Sequence, residues 1–572
     1  MSNFNELLCH DMFDTRADHL DFPNPDQIRL TYERARLLCQ ASGITLEDVV
    51  KLKPRFWDFY RDPIVVKDSA MGTTLAIHWN LCVGTIGAHA AQRPDLLPLL
   101  ERLLRFDLCG EFLLSEVGRG LDCRNLETTA TLQADGSYDL HTPRRTAAKS
   151  MPPTTPWAGV GRVGVVLARL IAGADGADHG VKTFVVRLSD DAGALLPGVE
   201  SRLLPRRCGA RVLDHSLTVF HHVRLGPEAL LGSPARARDQ RADFFRQIHR
   251  VPIGTLSLSL TNIPVLRECA LIAGTYSARR HVAGAGAGAG VGGKGGIPII
   301  RFPTQYRPIL DAVVQSWAYD AFADHAIALF LDKGLGMETR HAVAVCFKTA
   351  AGTDTQIAIN ELSERCGWQG LFAYNSIIEL GLALRGNAIA EGDYTVLCIR
   401  LVSEVLLGRY EIPEARMKDC PLARHEAGVW QETRELLASL GEADHRGEEF
   451  NAHLLPRCRD LVKATGHRMA YEAAATDGRL KPEALRLFES TCIKSDLSWY
   501  CEFDGLKRNE FFASDTRIAT EALPLLKEFL CRNKQPGALA APIMEDEAWD
   551  EFVDSLPTFG PASAVASTSC RL

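Results

Sequence analysis

A single carboxylate, Glu391, stands in the run Ala388-Ile389-Ala390-Glu391-Gly392-Asp393-Tyr394-Thr395-Val396-Leu397. Its upstream neighbours are small and apolar, so its charged form is poorly solvated and its pKa tends to rise. A carboxylate poised nearer neutrality transfers protons better than a solvated one, so the pattern offers general-base chemistry. Gly392 lets the backbone approach a ligand closely. Asp393 reads as the N-cap of an apolar helix from Thr395 to Leu407. Taken alone, Glu391 also fits a helix-capping or solvated carboxylate.

Three further blocks carry side chains or backbone suited to a ligand. Phe112-Leu113-Leu114-Ser115-Glu116-Val117-Gly118-Arg119-Gly120-Leu121-Asp122 precedes Leu126-Glu127-Thr128-Thr129-Ala130-Thr131. Gly118 and Gly120 permit close backbone approach, although a plain glycine-rich turn entering a strand reads the same way. Tyr276-Ser277-Ala278-Arg279-Arg280 offers guanidinium forks that match phosphate oxygens, or simply a solvated basic pair at a helix end. Cys366-Gly367-Trp368-Gln369-Gly370 lies upstream of Glu391, and Gln305 follows Pro303-Thr304.

In this order the blocks resemble the acyl-CoA oxidase and acyl-CoA dehydrogenase flavoproteins, and among them most closely the peroxisomal acyl-CoA oxidases. The resemblance covers nearly the whole chain to about residue 415. It implies a mainly α fold with a β-barrel insert, the acyl-CoA dehydrogenase-like fold, plus a C-terminal helical domain. It implies FAD as cofactor and Glu391 as the base that removes the proton next to a thioester carbonyl. Ser115 would hydrogen-bond the isoalloxazine, with Gly118 and Gly120 beside it. Arg280, with Arg279 as alternate, would pair with the pyrophosphate of a partner subunit's cofactor. Gln305 fits the next glutamine of the family pattern. Cys366, Gly367 and Gly370 would pass backbone along the adenosine, and Gly392 and Asp393 complete the set. These cross-subunit roles imply a homodimer.

The chain departs from the family at three places. Where relatives read Trp-Trp-Pro-Gly-Gly against the flavin, this chain has Ser150-Met151-Pro152-Pro153-Thr154-Thr155-Pro156, whose prolines remove amide donors. Trp368 replaces a glycine, and His281-Val282-Ala283 replaces Gln-Phe-Gly. The block from Leu203 to Gly209 with Asp214 and Val223-Arg224-Leu225 tracks a barrel-building motif.

Periodicity supplies the elements that must position these residues. Thr31–Gln40, Leu96–Phe106 and the apolar Met71–Gly87 read as helices. Short β-rich runs follow at Leu126–Leu132, Tyr138–Thr142, Val163–Ile171, Val181–Leu188 and Leu217–Leu225, with Asp135-Gly136 as a hairpin signal. The expected domains are 1–111 (helical), 112–235 (β-barrel), 236–415 (helical bundle with the cofactor motifs and Glu391), 416–535 (C-terminal oxidase-type helical domain) and 536–572 (tail). Within Ala283–Gly296, Gly288 to Gly293 matches G-x-G-x-x-G by accident of low complexity. Gly295 stands where a P-loop needs Ser or Thr, and the run reads as a flexible loop.

Composition narrows the function classes. The chain has 572 residues, 46% hydrophobic and 24% charged, with a net charge of −7. That balance gives no reason to expect nucleic acid or an anionic membrane as partner. No apolar run reads as a membrane span, and the acidic, polar Met1–Phe22 reads as neither signal nor transit peptide. The 16 cysteines are scattered without a C-x-x-C pair, which fits free thiols in a reducing compartment. His221-His222 lies in a strand-like run whose neighbours face opposite ways, against a metal site. Cys570-Arg571-Leu572 resembles a peroxisomal import tripeptide.

The resemblance therefore implies α,β-dehydrogenation of an acyl-CoA thioester to the trans-2-enoyl thioester, with O2 reduced to H2O2. Two rivals remain: a divergent flavoenzyme of a specialised biosynthetic pathway acting on an unusual, possibly carrier-bound thioester, and a non-catalytic relative that keeps the fold for interaction.

Overall fold

The computed structural model describes residues 20–173, 176–210, 212–283, 296–441, 447–533 and 541–559. The centre of the Ala-Gly run and the Cys570-Arg571-Leu572 tripeptide lie outside them. The chain is mainly α-helical with a β insert, in the order expected from the sequence.

The N-terminal helices include α1 (Pro25–Ser42), α2 (Pro54–Arg61) and α3 (Ser69–Ala76). Asn24 caps α1 by accepting from the Asp26 N–H at 2.8 Å, with Pro25 at the first helical position. The apolar run read as one helix, Met71–Gly87, does not keep one geometry. It widens into a π-helical stretch over Ile77–Val83 before resuming as α-helix at Gly84–Gly87. Such widening is frequent at functional sites, and here it carries Asn80.

The β insert contains β1 (Leu108–Leu113), β2 (Thr129–Leu132), β3 (Tyr138–His141), β4 (Lys149–Pro153), β5 (Gly161–Ala172), β6 (Ala177–Arg187), β7 (Val199–Leu203), β8 (His215–Phe220), β9 (Val223–Leu225) and β10 (Leu230–Leu231). One sheet runs β10-β6-β5-β2-β3-β9, with β1 parallel to β5; a second runs β4-β8-β7. The Asp135-Gly136 signal forms the β2–β3 hairpin, with Gly136 at φ +85°. The expected strand Leu217–Leu225 is broken at His221-His222, where His222 turns at φ +51° and stacks on His141. No group of three or more potential metal ligands occurs among the described residues.

Arg162 on β5 pins this insert to the helices. It is 1% exposed, pairs with Glu111 on β1 and, at 3.0 Å, with Asp214, which also accepts from the Tyr32 hydroxyl of α1 at 2.8 Å.

The second helical region contains α4 (Gln240–Gln247), α5 (Val251–Ser257), α6 (Asn262–Arg279), α7 (Pro303–Leu331), α8 (Met337–Arg365), α9 (Ile377–Ile389) and α10 (Tyr394–Leu406). Val251–Arg279 is long and apolar enough to cross a membrane, contrary to the sequence expectation, but 83% of its most apolar window is buried in the protein. α11 (Pro421–Ser439), α12 (Cys458–Asp477), α13 (Pro482–Ser495) and α14 (Arg508–Arg532) follow and share the main core with α7 and α8.

The segment read as tail is corrected in part. Residues 546–554 form α15 (Asp546–Asp554), because Trp549 and Phe552 lie on one helical face. Phe552 packs on Tyr374, ring centroids 4.3 Å apart.

Candidate active site

The turn between α9 and α10 is over-determined. Glu391 adopts φ +52°, a left-handed conformation that is uncommon for a non-glycine residue. Lys348, buried on α8, straddles it by donating to the carbonyls of Ala390 at 2.7 Å and Gly392 at 2.6 Å. The Thr255 hydroxyl on α5 donates to the Glu391 carbonyl at 2.7 Å. Asp393 caps α10, accepting from the N–H groups of Thr395 and Val396. Its carboxylate therefore serves the helix, as the sequence anticipates.

The Glu391 side chain points inward. Asn80 Nδ2 donates to Oε2 at 3.0 Å, and the same amide donates to the Arg250 carbonyl at 3.2 Å. Arg250 answers by donating Nε to the Asn80 carbonyl at 2.9 Å. On the other side the carboxylate rests on Gly254, where a Cβ would stand 1.1 Å from Oε2. Burial pushes the Glu391 carboxyl up to about 8, against the opposing pull of Lys348, Asn80 and Arg250. Burial likewise lowers Lys348 to about 8 and Arg250 to about 10, each partly held up by the Glu391 charge. The arrangement is a proton acceptor near neutrality with fixed partners.

The β-domain residues form a separate group. Ser115 accepts from the Ser150 N–H through its carbonyl at 3.0 Å, and Gly118 donates to the Thr146 carbonyl at 2.8 Å. Glu116 locks this loop: buried, it accepts from the N–H groups of Glu127 and Thr128 and from Lys149 Nζ. Among the described residues the Ser115 hydroxyl pairs with the Cys123 thiol, at 3.9 Å. Gly120 has open space where a Cβ would sit. Val117, Leu121 and Met151 are exposed on the segments that adjoin Ser115 in sequence or pair with it.

At the departure Ser150 to Pro156, β4 pairs with β8 but its register shifts between Ser150 and Pro153. A bulge tolerates the missing proline N–H groups, which explains how prolines occupy a strand. Met151 adopts φ +80°, and its carbonyl lies 2.7 Å from His215 Nδ1.

A third group gathers where α6, α7 and α8 end or begin. Gln305 Nε2 donates to the Ser277 hydroxyl at 2.8 Å and to the Arg365 carbonyl at 2.6 Å. Cys366 is fully buried, its thiol pushed up to about 12 by burial. Gly370 packs on the Ser363 carbonyl, with no room for a side chain. Gly367 turns at φ +59°, and Trp368 is 62% exposed, edge-on to Phe372. Arg280 ends α6 exposed and without an ion-pair partner among the described residues. Arg279 is taken by Asp546 and by the Ile543 carbonyl, at 2.8 Å.

No hydrogen bond or ion pair between described residues joins these three groups. The sequence reading missed Asn80, Arg250, Gly254, Thr255 and Lys348. Two of them left a signal, since Asn80 and Lys348 are polar residues inside mostly apolar helical runs.

Comparison with known proteins matches residues 256–406 to the acyl-CoA oxidase C-alpha1 domain. Peroxisomal acyl-coenzyme A oxidase 3 of Homo sapiens is 26% identical over 411 residues, 66% of this chain and 56% of the human protein. The match thus spans little more than half of that relative's length. Acyl-CoA oxidase 1 of Yarrowia lipolytica superposes with a TM-score of 0.77 at 18% identity, covering 98% of this chain and 90% of the yeast one. Acyl-CoA oxidase-1 of Caenorhabditis elegans, solved with FAD and ATP, gives 0.70 at 16% identity, covering 93% and 91%. The likeness to these structures is one of fold.

Proposed function

We propose that this chain, which belongs to the acyl-CoA oxidase and acyl-CoA dehydrogenase superfamily, uses Glu391 to remove the α-proton of an acyl-CoA thioester. The observation that carries the reading is the Glu391 turn. A carboxylate pushed up to about 8 is held in a strained conformation by Lys348 and Thr255 and aimed by Asn80. A scaffold has no use for that arrangement, which disfavours a purely structural role.

FAD suits the remaining residues. The Ser115 hydroxyl and the exposed apolar side chains of Val117, Leu121 and Met151 offer a polar group and apolar surface for a ring. Arg280, without an ion-pair partner among the described residues, together with Gln305 and the backbone of Cys366, Gly367 and Gly370, would serve the pyrophosphate and adenosine of a cofactor held across a homodimer boundary. FAD, when bound, would supply the acceptor for the β-hydride and the route of its electrons to molecular oxygen, for an overall conversion to a trans-2-enoyl thioester and H2O2. Glu391 takes the α-proton, and its environment, which disfavours the anion, drives that transfer. Oxidase rather than dehydrogenase chemistry is supported by helices α11 to α14 beyond the Glu391 bundle and by the names of the relatives. A peroxisomal site of action is supported by the same relatives.

The bulged, proline-bearing β4 favours a second reading, an unusual acyl thioester in a specialised pathway. The test of the main reading is Glu391→Gln. It should keep a flavin spectrum but lose the bleaching that acyl-CoA causes without oxygen. Unchanged bleaching removes Glu391 as the base.

A further inference from the structure

Helix α12 belongs to the C-terminal helical region, yet it crosses α8 at the turn that carries Lys348. Gly466, buried within α12, lies so close to α8 that a Cβ there would stand 2.5 Å from the Ala350 Cβ and 2.7 Å from the Cys346 carbonyl oxygen. A glycine inside a helix is less stable than an alanine, and the close approach of two helix backbones accounts for this one. Cys346 and Ala350 flank Lys348, two residues to either side. The crossing is pinned further along. Arg459 donates to the Thr353 hydroxyl at 3.1 Å. Asp354 accepts from the Tyr319 hydroxyl of α7 at 2.5 Å, pairs with Lys463 at 3.2 Å and lies 2.9 Å from His467 Nε2.

Positions 459, 463, 466 and 467 thus make one stripe on α12, and 346, 350, 353 and 354 one stripe on α8. Lys348 and Gly352, one turn apart, make a second stripe of α8 that faces the Glu391 turn. Lys348 holds the carbonyls of Ala390 and Gly392. Gly352 leaves room for Tyr394, which opens α10 three residues after Glu391; a Cβ at 352 would stand 1.4 Å from the Tyr394 hydroxyl oxygen. The Arg459 guanidinium and Lys348 Nζ each lie 5.6 Å from the centre of the Tyr394 ring. α12 therefore bears on the lysine that grips the turn and on the residue that ends it.

Resting on the reading of Glu391 as the base, we infer that Gly466 and Arg459 of α12 are positioning residues for it, acting through α8 on Lys348. Neither makes a hydrogen bond or ion pair with Glu391 among the described residues. The titratable groups that act on Glu391 are Lys348 and Arg250, with Tyr60 beside it. Those that act on Lys348 are Glu391, Asp393 and Cys398. Arg459 acts on Tyr394 and Cys398 instead. A change in α12 that alters the ionisation of Glu391 thus has to travel through Lys348 or the turn, not through direct charge.

The test measures kcat/KM from pH 6 to 9.5 on the flavin-loaded enzyme for Gly466→Ala, Arg459→Met, Lys348→Met and the double variants that join Lys348→Met to each of the others. Gly466→Ala should lower turnover by about 10-fold and carry the rise of the profile to higher pH, as α8 is pushed off α12 and Lys348 is drawn from the turn. Arg459→Met, at an exposed position that folding tolerates, should act in the same direction by about 3-fold. In each double variant the second change should cost less than about 2-fold beyond Lys348→Met alone, because both act through that lysine. Urea melts of Gly466→Ala with and without Glu391→Gln supply a readout that needs no turnover. The Glu391 contribution to stability, which falls with rising pH, should go on falling to higher pH than in wild type. Losses that multiply in the double variants, or a lowered rate with profile and melts unmoved, overturn the inference and leave Glu391 as the base. Melts that move as expected in a flavin-loaded enzyme that no acyl-CoA bleaches overturn the base assignment and leave the hold of α12 on the turn intact.

Discussion

Gly254 and Glu391 are packed so closely that no side chain fits between them: a Cβ at 254 would stand 1.1 Å from Oε2 and 2.0 Å from the carboxyl carbon. The atom in the way is the end of a flexible side chain, so it can move aside at little cost to folding. Catalysis is less forgiving, since a base displaced by about 1 Å loses about 100-fold in rate. Gly254→Ala should therefore unfold at nearly the wild-type denaturant midpoint while kcat falls by about two orders of magnitude. A variant that folds normally and turns over normally would show that the carboxylate position seen here is not the working one.

On the proposed function, proton abstraction needs the Glu391 anion, whose carboxyl is pushed up to about 8. Turnover should accordingly rise with pH and level off above about 8, which a kcat/KM profile from pH 6 to 9.5 checks. The same group leaves a mark on stability. The folded protein keeps the Glu391 proton that the unfolded chain releases from about 4.5 upward. Folded Glu391 thus binds more protons across that window, and its contribution to stability falls as pH rises through it. Subtracting Glu391→Gln from wild type in urea melts should give a difference that declines between pH 5 and 8.

Lys348 acts on Glu391 twice, through two carbonyl bonds and through charge. Lys348→Met removes both. We expect turnover to drop by about 10- to 100-fold as the turn loosens. The pH profile should also move to higher pH, because the anion loses its largest stabilising charge. A loss of rate without that movement would leave Lys348 with a purely structural role.

The Arg162 cluster should dominate the stability of the β insert. Arg162→Leu strands Glu111 and Asp214 in a fully buried place, a change that typically costs about 3–5 kcal/mol. Chemical denaturation measures it, and adding Glu111→Leu should recover part of the loss. Glu111 is the better partner to remove, since burial has already raised its carboxyl to about 8.

Much of this was legible in the chain itself. The helix–β–helix order, the Asp135-Gly136 hairpin and the Asp393 cap follow from patterns confined to a few neighbouring residues. What escaped depends on contacts across long separations. Asn80 meets Glu391 from 311 residues away, and nothing in the run Ile77–Val83 announces that its helix will widen there. Lys348 escaped because its partners are backbone carbonyls, which carry no sequence signature. α15 was hidden for a different reason: nine residues are too few for periodicity to show, and the helix is held by Tyr374 and Arg279 rather than by propensity.

Helix α8 has a consequence for how this chain can change over evolutionary time. Its middle holds the Glu391 turn through Lys348, and its end meets Gln305 through the Arg365 carbonyl, roughly 25 Å further along. Inserting or deleting one residue between the two would rotate one end by about 100° against the other. Such an indel would leave composition and helicity almost untouched yet disconnect the base from the Gln305 cluster. The stretch from Lys348 to Arg365 should therefore keep a fixed length in any functional descendant of this protein.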